Sequence, residues 1–242
     1  MFLSMLLSGN IDFMSAVIYI SSTLLVIFLV LPFHEWAHGF MAYKLGDNTA
    51  KLSGRLTLNP LAHIDPFGSL LLLLIGFGWA KPVPVDARNF KNPKVGMAIT
   101  AFAGPVANLI AAIGAGLVMH LIMLILSLNN IAAYDGNSFQ LYGGSEVWMY
   151  VIRFFVYLIT INTSLAVFNF IPIPPLDGSK ILMGFLPDRA VNWIYANEQI
   201  FSIGLFVLVM AGGLNGGLIS MIQNFIFGGI YWLTSIPFRL FL

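Results

Sequence analysis

Cysteine is absent from the 242 residues. That excludes a disulfide framework and any thiolate-bound metal centre, so a metal here has only His, Asp and Glu to hold it. Charge is the next shortage. Charged residues make up 9% of the chain, against about 25% in a soluble globular domain. The formal net charge is +1, which offers no basic face to nucleic acid. Internal repeats and low-complexity tracts are missing too. What fills the chain is apolar: 59% hydrophobic residues and a mean hydropathy of +0.89. The sequence therefore falls in the membrane class. Once several spans are subtracted, too little remains for a separate soluble domain. The expected fold class is an all-α membrane protein, a multi-span helical bundle with a short re-entrant or β-hairpin element.

Residues 1–10 contain no Lys or Arg, and the apolar run from Ile11 continues without a small-residue cleavage site. This end is expected to be retained rather than removed as a signal. The first segment, about 11–45, contains a nearly unbroken apolar stretch at 15–33, long enough to cross about 30 Å of hydrocarbon as a helix. Its far end carries His34, Glu35, His38 and Lys44, with Gly46 as a stop and Pro32 as a bend that frees a backbone carbonyl. Residues 46–66 are polar and rich in turn formers. The apolar run at 67–80 contains Gly76 and Gly78 and is too short to span, so a re-entrant hairpin or buried strands are expected. Residues 81–86 alternate around two prolines and read as an edge strand, which either pairs with an extended substrate through its free N–H and C=O groups or is a simple structural hairpin. Three or four further spans follow, at 95–126, at 147–171, and at 199–242. The last is broken by Gly212-Gly213-Leu214-Asn215-Gly216-Gly217 into two helices around a turn; one or two spans both fit.

Charge placement orients this layout. If 67–80 returns to its own side, Lys44, Lys51, Arg55, Lys81, Arg88, Lys91 and Lys94 share one face, and the count adds Lys180, Arg189 and Arg239. Arg153 alone falls opposite, by the 129–146 loop. The positive-inside rule then makes the rich face cytoplasmic and puts the N-terminus outside. A full crossing by 67–80 scatters the positives over both faces.

His34-Glu35-Trp36-Ala37-His38 is an H-E-x-x-H sequence in a helix. Positions i and i+4 share a face about 6 Å apart along the axis, so two imidazoles can converge on one ion. Glu35, next to the first, can reach a water rather than the metal. Each ionisable group near mid-membrane costs about 2.5–3.5 kcal/mol on the lenient scale. Three within five residues call for a compensating divalent cation. The bland alternative is a helix end whose His and Glu face water. A second motif is Asn169-Phe-Ile-Pro172-Ile-Pro174-Pro175-Leu-Asp177-Gly178. Its prolines end the preceding helix and force an extended segment, which survives at membrane depth only where protein or a wet cavity surrounds it. Asp177 is then either a delivered carboxylate or part of an ordinary polar turn. Two His and one carboxylate leave a fourth tetrahedral position for water, the arrangement of a catalytic zinc site. His63 reads as loop-ordering and His120 as structural. Gly104-Pro105 and Asn108 read as helix-packing positions.

Together the two motifs resemble the site-2 protease family of intramembrane zinc metalloproteases. Leu58-Asn59-Pro60, Ala80-Lys81-Pro82-Val83-Pro84-Val85 and Gly104-Pro105-x-x-Asn108 are similar to its compact branch, without PDZ or CBS domains. The resemblance implies zinc, one per chain, held by His34, His38 and Asp177. It implies Glu35 as the general base and Asn169 as a polar contact for substrate backbone or the tetrahedral intermediate. It also implies a single polytopic domain over 1–242, with a catalytic core at about 15–186 and C-terminal helices at about 199–242. The partners implied are a transmembrane protein substrate and the lipid bilayer, with the active site towards the cytoplasmic side of the cell membrane. A transporter or channel also carries broken helices and intramembrane charges, and a zinc membrane enzyme acting on another bond shares the two motifs.

Overall fold

The computed structural model describes residues 13–75, 78–135, 138–142, 146–211 and 217–239. The expectation for residues 1–10 and most of the Gly212–Gly217 break lie outside these. The elements are α1 (Phe13–Leu25), a π-helical turn (Val26–Val30), α2 (Leu31–Lys44), α3 (Thr49–Leu52), α4 (Pro66–Ile75), α5 (Pro93–Leu128), β1 (Ala132–Tyr134) and β2 (Phe139–Leu141). They continue with α6 (Glu146–Asn169), α7 (Asp177–Met183), α8 (Asp188–Ala196), α9 (Glu198–Met210) and α10 (Leu218–Arg239). The bundle is all-α apart from one antiparallel hairpin, in which Ala133 pairs with Gln140.

Among the described residues, three helical stretches are long and apolar enough to cross a bilayer: Phe13–Lys44, Pro93–Leu128 and Glu146–Asn169. The first is continuous because the π turn absorbs Pro32. Proline has no N–H, so a regular helix would leave the carbonyl of Phe28 unpaired. Instead Leu31 N–H reaches back five residues to Val26 O, shifting the register one turn before the proline. Gly46 ends the stretch at a φ of 107°, a conformation open chiefly to glycine.

α5 is the central helix, packed against α2, α6, α7 and α10. Its buried face recurs every three or four residues as Ala101, Gly104, Ala107, Asn108, Ala112 and Gly116. Lipid provides no hydrophobic drive between helices, so small residues that let backbones approach supply the packing. Two apolar clusters flank this face. Val26, Ile27, Val30, Leu31, Leu72 and Leu158 lie at the α2 end. Ala112, Met119, Met123, Leu124, Tyr134, Ile159 and Ile230 lie at the hairpin end.

The segment at 67–80 turns back on itself. α4 has ten residues, about half of what a span needs, and the chain returns so that a Cβ on Gly68 would overlap Trp79 and one on Gly78 would overlap Gly68 O. Residues 81–86 form no strand. Their partners are side chains and loop carbonyls rather than a neighbouring strand: Lys81 N–H donates to His63 O and Arg55 to the carbonyls of Lys81 and Pro82. The β-hairpin is instead in the loop between α5 and α6.

One charge assignment is corrected. Thr234 Oγ1 lies 3.1 Å from His120 Nδ1 and the Phe238 ring stacks on His120, so α10 ends beside the β-hairpin. Arg239 therefore lies with Arg153 on the far face, and nine of the eleven Lys and Arg residues remain on the near one. α9, with 13 residues, is too short to cross, while α10 has 22.

Candidate metal centre and active site

α2 presents His34 and His38 on one face, with ring centroids 4.6 Å apart and Nε2 atoms 3.0 Å apart. α7 begins at Asp177, whose Oδ2 lies 3.2 Å from each of those nitrogens. All three groups are nearly buried: His34 is 5% exposed and Asp177 7%. Asp177 is delivered by close packing. A Cβ on Gly178 would overlap the carbonyl oxygens of Phe170 and Ile171, so only glycine lets the start of α7 sit against the end of α6.

The three atoms form a nearly equilateral triangle. Ligands at about 2.0–2.1 Å around a tetrahedral ion stand about 3.3 Å from one another, close to the 3.0 and 3.2 Å edges observed. Asp177 Oδ2 is buried and takes no well-aligned hydrogen bond despite its two neighbours. His38 Nδ1 is 2.7 Å from Thr100 O; donating there, it leaves the Nε2 lone pair aimed at the triangle, as a metal-binding imidazole is usually held. A Cβ on Gly104 of α5 would overlap His34 Cε1 and His38 Nε2. The helix therefore leaves a gap where a side chain would fill the site. With two imidazoles, a carboxylate and no thiolate, zinc suits this donor set.

Glu35 also belongs to a group of potential ligands with His34 and His38, their atoms lying within 4.8 Å of one another. It is buried, and its Oε2 accepts a 2.8 Å bond from Val83 N–H. Val83 lies between Pro82 and Pro84, so it carries the only backbone donor in that triplet. The paired prolines were the signal for this contact, but they were read as strand chemistry. Asn169 ends α6, and its amide donates to Leu165 O; among the described residues no hydrogen bond links it to His34, His38 or Asp177. His63 is fully buried and bonds Thr57 O through Nε2, the loop-ordering role expected. His120 is buried against Thr234 and Gly116 O, fastening α10 to α5.

The 81–86 strap is fixed at its far end as well. Asp47, fully buried, accepts from Thr49 N–H and Asn89 Nδ2 through Oδ1 and from Asp86 N–H through Oδ2. Burial pushes the Asp47 carboxyl up, but bonds from Thr49, Asn89 and the Asp86 backbone outweigh it, leaving the group below its usual range. Bonding to Arg88 holds the Asp86 carboxyl at about 2. Carboxylates depressed in the fold stabilise it above their unfolded pKa, and that gain is lost as pH falls through the lowered value. The strap thus stays anchored down to about pH 4, the usual carboxylate range. Asp47→Ala leaves several donors without an acceptor, a cost of about 1–3 kcal/mol for each one buried. Limited trypsin digestion in detergent should then cut faster after Arg88 and Lys91 than in the wild type. An unchanged digestion rate would show that Asp47 does not hold the strap.

With this geometry in place, relatives can be compared. The family model described as peptidase family M50 matches residues 22–211. The chain belongs to peptidase family M50, the site-2 protease family. It is 41% identical over 211 residues to YwhC of Bacillus subtilis, named as a candidate zinc metalloprotease, covering 83% of this chain and 90% of that protein. Rip2 of Mycobacterium tuberculosis, named in the same terms, is 27% identical over 85% of this chain and 70% of its own. Rip2 of Mycolicibacterium smegmatis is 27% identical over 88% and 77%. No solved structure gives a significant match. Membership makes the chain a metallopeptidase with protein substrates, associated with the membrane through its apolar helices. It sets aside the transporter reading and that of a zinc enzyme acting on a different bond.

Proposed function

We propose that this peptidase is an intramembrane zinc endopeptidase, hydrolysing peptide bonds of membrane-spanning proteins from a single polytopic domain. The depth of the triangle supports this. Gly104, which faces both imidazoles, is eleven residues into α5, about 16 Å from its start, and about 36 Å of helix lies beyond it. α5 is one of the helices long and apolar enough to cross a bilayer, so a site facing its Gly104 suits a substrate that is itself in the membrane. His34, His38 and Asp177 hold one zinc per chain, on the cytoplasmic side, and the N-terminus is outside.

Zinc, when bound, supplies Lewis acidity, lowering the pKa of water towards 7 and polarising a carbonyl. The chain's own residues do the rest. Val83 N–H occupies Glu35 Oε2 and fixes the carboxylate, leaving Oε1 to take a proton from the attacking water and return it to the departing amine. Asn169, its amide held by Leu165 O, keeps Oδ1 to accept from a substrate N–H. A substrate helix bonds its own carbonyls, so it must unwind first; substrates with helix-weakening residues near the cut are favoured.

Purified protein in detergent should cleave a helical membrane peptide inside its apolar stretch. Cleavage confined to soluble loops would remove the intramembrane reading. For sidedness, reporter fusions after Asn92 and after Asp135 should report opposite compartments, with Asn92 cytoplasmic. The same compartment for both would overturn the layout.

A further inference from the structure

The two imidazoles of the triangle are held unequally. His38 Nδ1 is tied to Thr100 O, whereas His34 Nδ1 is buried and has no hydrogen-bond partner among the described residues. An imidazole that gives Nε2 to a metal carries its proton on Nδ1, and that N–H is almost always donated to an oxygen. Asn108 of α5 is the complementary case. It is fully buried, and neither its Oδ1 nor its Nδ2 has a partner among the described residues. Buried polar side chains are normally paired, and helix packing alone calls for no amide.

Helix register brings the two together. Along α5, Thr100 meets His38, and Gly104, one turn on, faces both His38 Nε2 and His34 Cε1. The helices α2 and α5 therefore run antiparallel past the site. The next turn of that face of α5 carries Asn108, about 6 Å further along the axis, on the side of His34 away from His38. The ring agrees. Cε1 lies between the two nitrogens and is turned to α5, while Nε2 points back at His38 and Asp177. Nδ1 is thus directed towards the Asn108 end.

We propose that Asn108 is a positioning residue for the metal centre, its Oδ1 accepting the His34 Nδ1 proton as Thr100 O does for His38. This rests on His34 being a zinc ligand and adds what orients it. The terminal torsion of asparagine is broad, so the amide can turn to meet the ring. Asn162 of α6 gives Asn108 Nδ2 its acceptor. It is 1% exposed, its Nδ2 donates to Leu158 O, and its Oδ1 has no partner among the described residues. Phe102 packs on Phe170, and Ala112 shares a cluster with Ile159, so α5 and α6 are antiparallel too. That register sets Asn108 and Asn162 within about two residues, roughly 3 Å, of one level. The bonds then run from the ligand on α2 through α5 to the backbone of α6, each donor matched to an acceptor.

Zinc affinity, read by chelator competition on the purified full-length protein in detergent, tests the assignment. Asn108→Leu keeps a side chain branched at the same carbon but cannot accept a proton, and should weaken zinc binding about 10–100-fold, the usual effect of losing such a partner. Asn108→Asp accepts more strongly, and should bind zinc at least as tightly as the wild type, with Asn162 turning its amide over to donate. A packing role predicts the reverse order, because leucine suits a buried site and an unpaired carboxylate does not. Thermal melting of the metal-free proteins checks that each variant is folded, and Asn108→Ala, too small to overpack, repeats the leucine comparison. Wild-type affinity in Asn108→Leu and Asn108→Ala, or equal weakening in Asn108→Asp, would overturn the role of Asn108. His34→Ala separates the two claims. If it keeps wild-type zinc affinity, the ligand reading falls and takes Asn108 with it. If it loses zinc while the Asn108 variants bind normally, only the role of Asn108 falls.

Discussion

Glu35→Gln is expected to retain wild-type zinc and to cleave a helical membrane peptide roughly 10²–10⁴-fold more slowly, the usual contribution of a positioned general base. The substitution keeps the size of the side chain, and its amide oxygen still accepts from Val83 N–H, now 2.8 Å from Oε2. The strap therefore stays in place. What changes is the second position: an NH₂ group replaces the oxygen that takes the proton, and an amide neither accepts nor returns one. Metal content by elemental analysis and cleavage of the peptide are measured on the same preparation. Glu35→Ala separates the two roles of the residue, because it also removes the acceptor for Val83 and should speed digestion of the strap. Near-normal cleavage by zinc-loaded Glu35→Gln protein would take Glu35 out of the mechanism.

The main helices and the site triangle were legible in the sequence because each has a local signature. Length and high mean hydropathy mark α5 and α6, and the i, i+4 imidazoles need only helical geometry. Asp177 was reachable because three prolines in four positions force a non-helical segment that must end on something. Less legible were features set by a distant partner. Pro32 marks a disturbed helix in the sequence, but not that a π turn at Val26–Val30 would meet it. The strap at 81–86 has the alternation of a strand, but its donors and acceptors are used by Glu35, His63, Arg55 and Asp47, four residues far from it in sequence. Arg239 was assigned by counting crossings, whereas its place is set by the contacts of Thr234 and Phe238 with His120. Thr100 contributes through its backbone carbonyl, so its side-chain type gives no hint of its role.

Gly104 is the position where that local reading is most incomplete, and Gly104→Ala is expected to abolish zinc binding with both histidines and Asp177 intact. Read alone, Gly104-Pro105 is a place where helices pack closely. In the fold it faces His34 and His38, and a Cβ there would overlap His34 Cε1 and His38 Nε2. Either the imidazoles rotate out of the triangle or α5 retreats from α2, and both outcomes separate the ligand atoms. Helix propensity acts in the opposite direction, since Gly→Ala in a helix interior gains about 1 kcal/mol. A loss therefore cannot be assigned to a weakened helix. Gly114→Ala, ten residues along the same helix, has nothing within 4 Å of its added Cβ and serves as the control. Elemental analysis should give about one zinc per chain for Gly114→Ala and almost none for Gly104→Ala. Cleavage should fall at least as far as it does in Glu35→Gln, because the metal and the base then fail together. Full zinc occupancy in folded Gly104→Ala protein would mean that α5 yields without disturbing the imidazoles, and that the gap at Gly104 serves packing alone.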